Sequence, residues 1–465
     1  MTTSSGSNMR RGVTTGASLL VASALCLGGT ARANTVTVGG SGAAAPTLSV
    51  GVSMASNGDS VLVHPGSYYE VITTTKSLIL VADGAPGSVV LDGGSFTTVL
   101  KFQNVTGDVT IQGFALRNGS ASRGGGLVLD NVSGNCNLID CEFSGNIATT
   151  SGGAVDCVNS TATFTDCTFD GNGVTGPSEM RGGAVSGRAN SSLSFAGCSF
   201  SDNDGSYGGA IYSAGALPSV SGCSFTHNDA LRGGAVYVAS ASSAVIDGCT
   251  FESCSADDFG GALFFTGSGY EVTNSTFHSN DCSTGMGGAI YCAGGSGIEV
   301  RGNVFNANSA QSGGALAGAP SLALVEHNTF YGNSASDTGA HLFSATSRAP
   351  TSSGTSSPTP RPVPRSERVP SAPTFHCNDF WNNGDGNFNG VTDPMGDDGN
   401  FAEDPLYCDA AGDDFGLDMA SACYVDNVPS ECSGFGMGDI GAKSGTCGAS
   451  RVEPTTWGAI KARFK

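Results

Sequence analysis

The chain has 465 residues with 20 Lys+Arg against 40 Asp+Glu, a net charge of −20 that repels nucleic acid and anionic lipid surfaces. Charged residues are only 13% of the chain and apolar ones 39%, a balance that excludes an acidic disordered polymer. The 71 glycines, far above the usual share of about 7%, point instead to a turn-rich β protein.

In chain order, Arg10 and Arg11 precede an apolar run from about Ala17 to Leu27, and Ala31-Arg32-Ala33 reads as an A-x-A cleavage site. Residues 1–33 are therefore expected to be a secretory signal peptide. The run is too short to span a bilayer, so no transmembrane span is expected. The expected location is secreted, extracellular or cell-surface. Export permits disulfides, and losing Cys26 from 16 cysteines leaves an odd number, so at least one thiol stays unpaired in a monomer.

Residues 34–343 read as one solenoid. Val36 to Val38 is a strand candidate, Pro46 to Ala55 suits a short amphipathic capping helix, and Gly58 to Tyr68 returns to strand and turn. Glycine pairs followed by Ala and then Val, Ile or Leu begin at Gly152, Gly182, Gly208, Gly233, Gly260, Gly287 and Gly313, spaced by 25 to 30 residues. A shorter copy stands at Gly125-Gly126-Leu127, and a decayed one at Gly339-Ala340-His341-Leu342. Each copy carries a Phe with Asn three residues on: Phe143 with Asn146, then Asn172, Asn203, Asn228, Asn280, Asn308 and Asn333. Only Phe251 differs, with Cys254 in the Asn slot. Cys141, Cys167, Cys198, Cys223 and Cys249 stand two residues before Phe, an offset that puts both side chains on one face of a strand.

Short β-branched runs such as Thr161 to Phe164 and Ser243 to Ile246 lie between these marks. Three short strands and three turns fill each copy, so each copy is read as one coil of a right-handed parallel β-helix. Stacking would align equivalent residues into ladders: Phe and Cys inside, Asn in left-handed turns bonding to the next coil, and Gly pairs at φ > 0.

Residues 344–374, with "SSPTPRPVPRSERVPSAP", read as an insertion or linker. The repeat resumes at Cys377 to Asn383, within a 375–448 segment of last coils and a Cys-rich end. There Cys408, Cys423, Cys432 and Cys447 are expected to form two disulfide staples of undetermined connectivity. Residues 449–465 form a basic tail that places Trp457, Ile460, Lys461 and Phe464 on one helical face, either a sorting or docking signal to the envelope or a cap on the last coil.

The paired GGA[ILV] and FxxN motifs resemble the repeats of the polymorphic outer-membrane proteins of chlamydiae, which are surface adhesins of β-helical type. The "GDSVLVHPGSYYE" opening resembles secreted right-handed β-helix proteins of the pectin-lyase-like superfamily, and "GNFAEDPLYCD" through Cys447 resembles the ending of many extracellular bacterial β-helix proteins. The chain departs from the chlamydial pattern in ending on a basic tail rather than a membrane β-barrel. The resemblance implies the fold, which serves lyases, hydrolases, adhesins and structural proteins alike.

A lyase site would gather aspartates near an Arg or Lys base. Asp204, Asp229, Asp257, Asp258 and Asp281 in turns after the Asn ladder, and Arg123, Arg181 and Arg232 before glycine pairs, are the candidates. Those arginines skip alternate coils and show no carboxylate partner in the sequence. Asp385, Asn387, Asn389 and Asp393 follow the start of a D-x-N-x-N-G calcium loop, but Gly396 cannot supply its last carboxylate, so an ordinary turn competes with a Ca²⁺ site. No other cofactor is expected. The functional expectation is a non-catalytic, adhesin-like or glycan-binding surface protein, with a polysaccharide lyase or glycoside hydrolase as the alternative. Its partner would be a cell-surface or extracellular glycan or protein, and not nucleic acid.

Overall fold

The structure, a computed structural model, describes residues 33–177, 180–239, 244–294, 298–318, 322–339, 342–343, 374–381, 388–389, 400, 402, 407–409 and 414–417. The chain divides into two compact units after Ala33, and the second of them holds a parallel β-solenoid. Each full coil uses four strands rather than the expected three, as in Asn135–Ile139, Glu142–Ser144, Ile147–Ser151 and Val155–Val158. Pairing coil to coil, these build sheets I, II, III and IV, of 13, 12, 9 and 12 strands in that order. The additional strand is sheet III. Its members follow the Asn ladder, where the sequence suggested turns, and one is as short as Gly173–Val174.

Phenylalanine holds the centre. Phe143, Phe169, Phe200, Phe225, Phe251, Phe277, Phe305, Phe330 and Phe380 stack with ring centroids 4.7–4.9 Å apart, the spacing of paired strands. The two glycines of each pair answer different demands. The first is left-handed, at φ of 58° in Gly152 and 76° in Gly287. The second is not, but a Cβ on Gly209 would overlap the carbonyl oxygen of Gly234 in the next coil.

The ladder asparagines are buried, and their own backbone is not left-handed. That conformation falls on the residue before each: Gly145, Gly171, Asp202, His227, Ser279, Ala307 and Gly332. The asparagine side chain then clamps three coils. Asn203 Nδ2 donates to Phe169 O at 3.0 Å and to Asn228 Oδ1 at 2.9 Å, while its Oδ1 accepts from Asn172 N at 3.0 Å and Nδ2 at 3.1 Å. Cys254 keeps a looser version, with Sγ 3.5 Å from Phe225 O and 4.0 Å from Asn228 Nδ2.

The cysteines before Phe lie in the corner between sheets I and II, not within the strand. Their thiols are free and buried, and those of Cys141, Cys167, Cys198 and Cys249 reach a carbonyl one coil back, as Cys141 Sγ does to Ile111 O at 3.4 Å, while Cys223 Sγ reaches Ser221 O in its own coil. Beyond Cys249 the slot passes to Ser275 and then to Asn303, Asn328, Asn378 and Asn400, which form a second amide ladder. Asn303 Nδ2 reaches Val272 O at 2.8 Å, the same kind of carbonyl that the thiols reach. Thiol and amide thus serve one requirement: a donor for a main-chain oxygen buried in the corner.

At the start of the stack, helix α1 (Leu48–Met54) packs Leu48, Gly51 and Val52 inward. Glu70 accepts from the main-chain N–H of Leu48 and Ser49 at one end, and Lys76 Nζ donates to the carbonyls of Val52, Ser53 and Ala55 at the other. Among the described residues, no helix is long and apolar enough to cross a membrane. At the far end, Leu342–Phe343 in sheet IV is followed among the described residues by Thr374–His376 in sheet I, where the coil resumes. Residues 344–373 themselves lie outside the described residues.

Candidate functional site

The outer face of sheet IV, with the sheet III strand ends beside it, carries the richest side-chain chemistry. Strand register arranges it in three columns. Immediately before the glycines of each copy stand Arg123, Ser151, Arg181, Tyr207, Arg232, Phe259, Met286 and Ser312. Immediately after each GGA[ILV] motif stand Asp156, Ser186, Tyr212, Tyr237, Phe264, Tyr291 and Ala317. Two residues further on, Asp130, Val158 and Arg188 share the third. Outward direction follows from strand alternation, since the neighbouring Val155, Val185, Ile211 and Val236 all point into the core.

The aromatic residues form one connected surface. Tyr212, Tyr237, Phe264 and Tyr291 stack in succession with centroids 5.5, 4.6 and 5.5 Å apart. Tyr207 meets Tyr237 edge-on at 5.2 Å, and Phe259 lies 4.5 Å from Tyr291. Ring faces are turned toward one another along the axis, so the half-buried Tyr207, Tyr237, Phe259 and Tyr291 present ring edges outward, whereas Tyr212 and Phe264 are buried. The arginines are stacked into this array. Arg232 lies between Tyr207 and Phe259, 5.9 and 5.4 Å from their centroids, and Arg181 lies 5.7 Å from that of Tyr212. Arg232 thus takes the space between two rings, and Arg181 lies beside one, with Ser151 before it in the column.

Arg123 and Arg232 do have carboxylate partners, contrary to the sequence expectation. Arg123 pairs with Asp130 at 2.6 Å and reaches Asp156 at 3.5 Å, while Arg232 Nε pairs with Asp258 at 3.2 Å. Asp156 is fully buried and takes both Nε and Nη2 of Arg188, at 3.1 and 2.9 Å, besides the Ser151 hydroxyl at 2.9 Å. Burial works against the charge of Arg188, but Asp156 more than offsets it and holds that pKa above its ordinary value. Between this cluster and the rings lies Ser186, whose buried Oγ has no hydrogen-bond partner.

Of the aspartates proposed for lyase chemistry, Asp258 meets Arg232 on this face, whereas Asp204, Asp229 and Asp281 sit away from it. Asp204, Asp229 and Asp281 open strands of sheet III, with Asp204 beside Asp229 and Asp281 beside Ser255 and Ser309. Burial, and then the Asp229 carboxylate, push the Asp204 pKa up. Ser255 Oγ donates to Asp229, and Ser309 Oγ to Asp281. Asp257 and Asp258 bulge from the strand Ser255–Phe259. Among the described residues no group of three or more His, Cys, Asp or Glu is arranged to hold a metal ion. Of the calcium-loop candidates, Asp385, Asn387 and Asp393 lie outside the described residues, and Asn389 closes the strand Phe388–Asn389. Cys408 lies in Tyr407–Asp409, whereas Cys423, Cys432, Cys447 and the basic tail fall outside the described residues. Cys377, not foreseen as a staple, is disulfide-bonded.

The sequence reading missed the aromatic columns. Their signal was present, since they occupy the positions flanking the glycine motif, but each ring looks isolated until the coils are stacked.

Comparison with known proteins agrees with the fold. The family model "Right handed beta helix region" matches residues 100–277 and 159–352. Among solved structures, the chain is similar to a mannuronic acid specific polysaccharide family 6 lyase enzyme from human gut microbiota, at TM-score 0.34 and 10% identity, over 80% of this chain and 91% of that one. It is also similar to the pectin methylesterase from Aspergillus niger, at TM-score 0.27 and 15% identity, over 58% of this chain and 85% of that one. No curated protein matches it.

Proposed function

This chain belongs to the family of right-handed β-helix regions, and from that premise we propose that it is a non-catalytic, adhesin-like protein of the cell exterior that binds glycans. The observation that carries the reading is the array of stacked rings and ring-held arginines on one lateral face, from Arg181 to Tyr291. Such a surface joins apolar ring edges to guanidinium and hydroxyl donors, the combination that an extended sugar chain with apolar ring faces and many hydroxyls can use. A solenoid repeats that combination along its length without needing a deep pocket. The resemblance of the repeats to chlamydial adhesins, and the expected signal peptide, support the same reading. Attachment to the envelope through the basic tail is part of it.

The test is retention of the purified protein by gels containing neutral or acidic polysaccharides, with new reducing ends and unsaturated uronate read in parallel, with and without Ca²⁺. Retention by at least one polysaccharide without product, weakened by Tyr237→Ala, is the expected result. Product that a chelator abolishes would replace binding with lyase chemistry, and passage through every gel would refute glycan binding.

A further inference from the structure

The ring-held arginines repeat with a period of two coils. Arg181 and Arg232 stand in register with Tyr207 between them. Coils rise by ~4.8 Å, so the two guanidinium positions are ~10 Å apart along the axis. In the intervening coil the three columns hold Tyr207, Tyr212 and the backbone of Ala214, with no base. Carboxylates lie on the coil after Arg232, at Asp257 and Asp258, while the coil before Arg181 holds Asp156, which is buried and paired with Arg188 and Arg123.

A pyranose advances an extended glycan by about one coil spacing. A polymer with a carboxylate on every sugar would set half of them against an uncharged or acidic coil, in a protein already at −20. A polymer with one carboxylate on every second sugar meets an arginine each time, and the sugars between them lie over rings. Resting on the glycan-binding reading above, we infer that the ligand of this face is a linear glycan carrying one carboxylate per disaccharide. Arg232 pairs with Asp258 through Nε, which leaves its two terminal nitrogens as a fork for the ligand carboxylate.

Affinity electrophoresis of the full protein tests this with three length-matched polymers: hyaluronate, with one carboxylate per disaccharide; polygalacturonate, with one per sugar; and a neutral β-glucan. Hyaluronate is expected to bind at least about tenfold tighter than either, equivalent to about 1.4 kcal/mol. Arg232→Ala, checked for an unchanged melting temperature, should remove most of that preference. The exposed-site variant Asp258→Asn guards against a folding defect and should strengthen retention by both acidic polymers while narrowing the gap between them. Equal or tighter binding of polygalacturonate, or strongest binding of the neutral glucan, overturns the two-coil period and leaves glycan binding standing. Failure of all three polymers to retard the protein removes both.

Discussion

Replacing Asn203 by alanine should destabilise the stack more than any surface change in the same coil. The side chain makes four hydrogen bonds, and its loss strands Phe169 O, Asn172 N and one hydrogen of the Asn172 amide where no water reaches. At about 1–3 kcal/mol for each buried orphan, with neighbours relaxing to recover part, the cost is about 3–6 kcal/mol. With a urea dependence of about 3 kcal/mol per molar, the midpoint falls by about 1–2 M. Coils unfold locally in solenoids, so amide exchange should quicken first between Phe169 and Asn228. Ser201→Ala, whose exposed hydroxyl bonds only Asp170, serves as the control and should stay within about 0.5 kcal/mol of the parent. Asn203→Cys should fall between the two, because Cys254 already fills the slot elsewhere with longer contacts. An Asn203→Ala midpoint indistinguishable from the control would refute the ladder as the source of cohesion.

Three other outcomes are expected. Cys254→Asn should close the gap in the ladder and raise stability by about 1 kcal/mol, read as a higher urea midpoint. Gly209→Ala should lower the melting temperature far more than Gly222→Asn: the first drives a Cβ into Gly234 O, whereas the second keeps φ near 59° in open space, as Asn274 does one coil along from Gly248. Burial pushes the thiols of Cys136, Cys254 and Cys282 up to about 12 from an ordinary 9. The unfolded chain therefore loses those protons first, so their stabilisation is full below about pH 9 and is lost as pH rises toward about 12. Melting temperatures across that window should drop, and should drop less in a triple Cys→Ala variant compared with its own neutral-pH value.

The repeat was legible because its strongest restraints are strictly periodic. Phe and Asn three apart reappear wherever a coil turns from sheet II to sheet III, and the glycine pairs wherever it enters sheet IV. Sheet III was not legible. Its strands range from Gly173–Val174 to Asp281–Met286 and change register between coils, so no alternation survives in one dimension. Left-handed geometry was assigned to the asparagines on residue preference, yet it falls on the residue before them. Position 307 holds Ala and position 227 His, because the four bonds of each ladder amide dictate the turn whatever precedes it. The binding face was hidden for a different reason. Tyr207 and Tyr237 are 30 residues apart in sequence and touch only when coils stack.

The two amide ladders run in a single direction. In every link the side-chain oxygen faces the preceding coil and an N–H faces the following one, from Asn146 to Asn172 and again from Asn303 to Asn328. Aligned this way, the side-chain dipoles add along the axis, so the rod is electrically polar. In the intact chain Gly119 N supplies the donor that the first ladder oxygen, on Asn146, requires. A chain cut between ladder coils would instead expose a templating end of fixed sign, with unpaired N–H groups on one side of the cut and unpaired oxygens on the other.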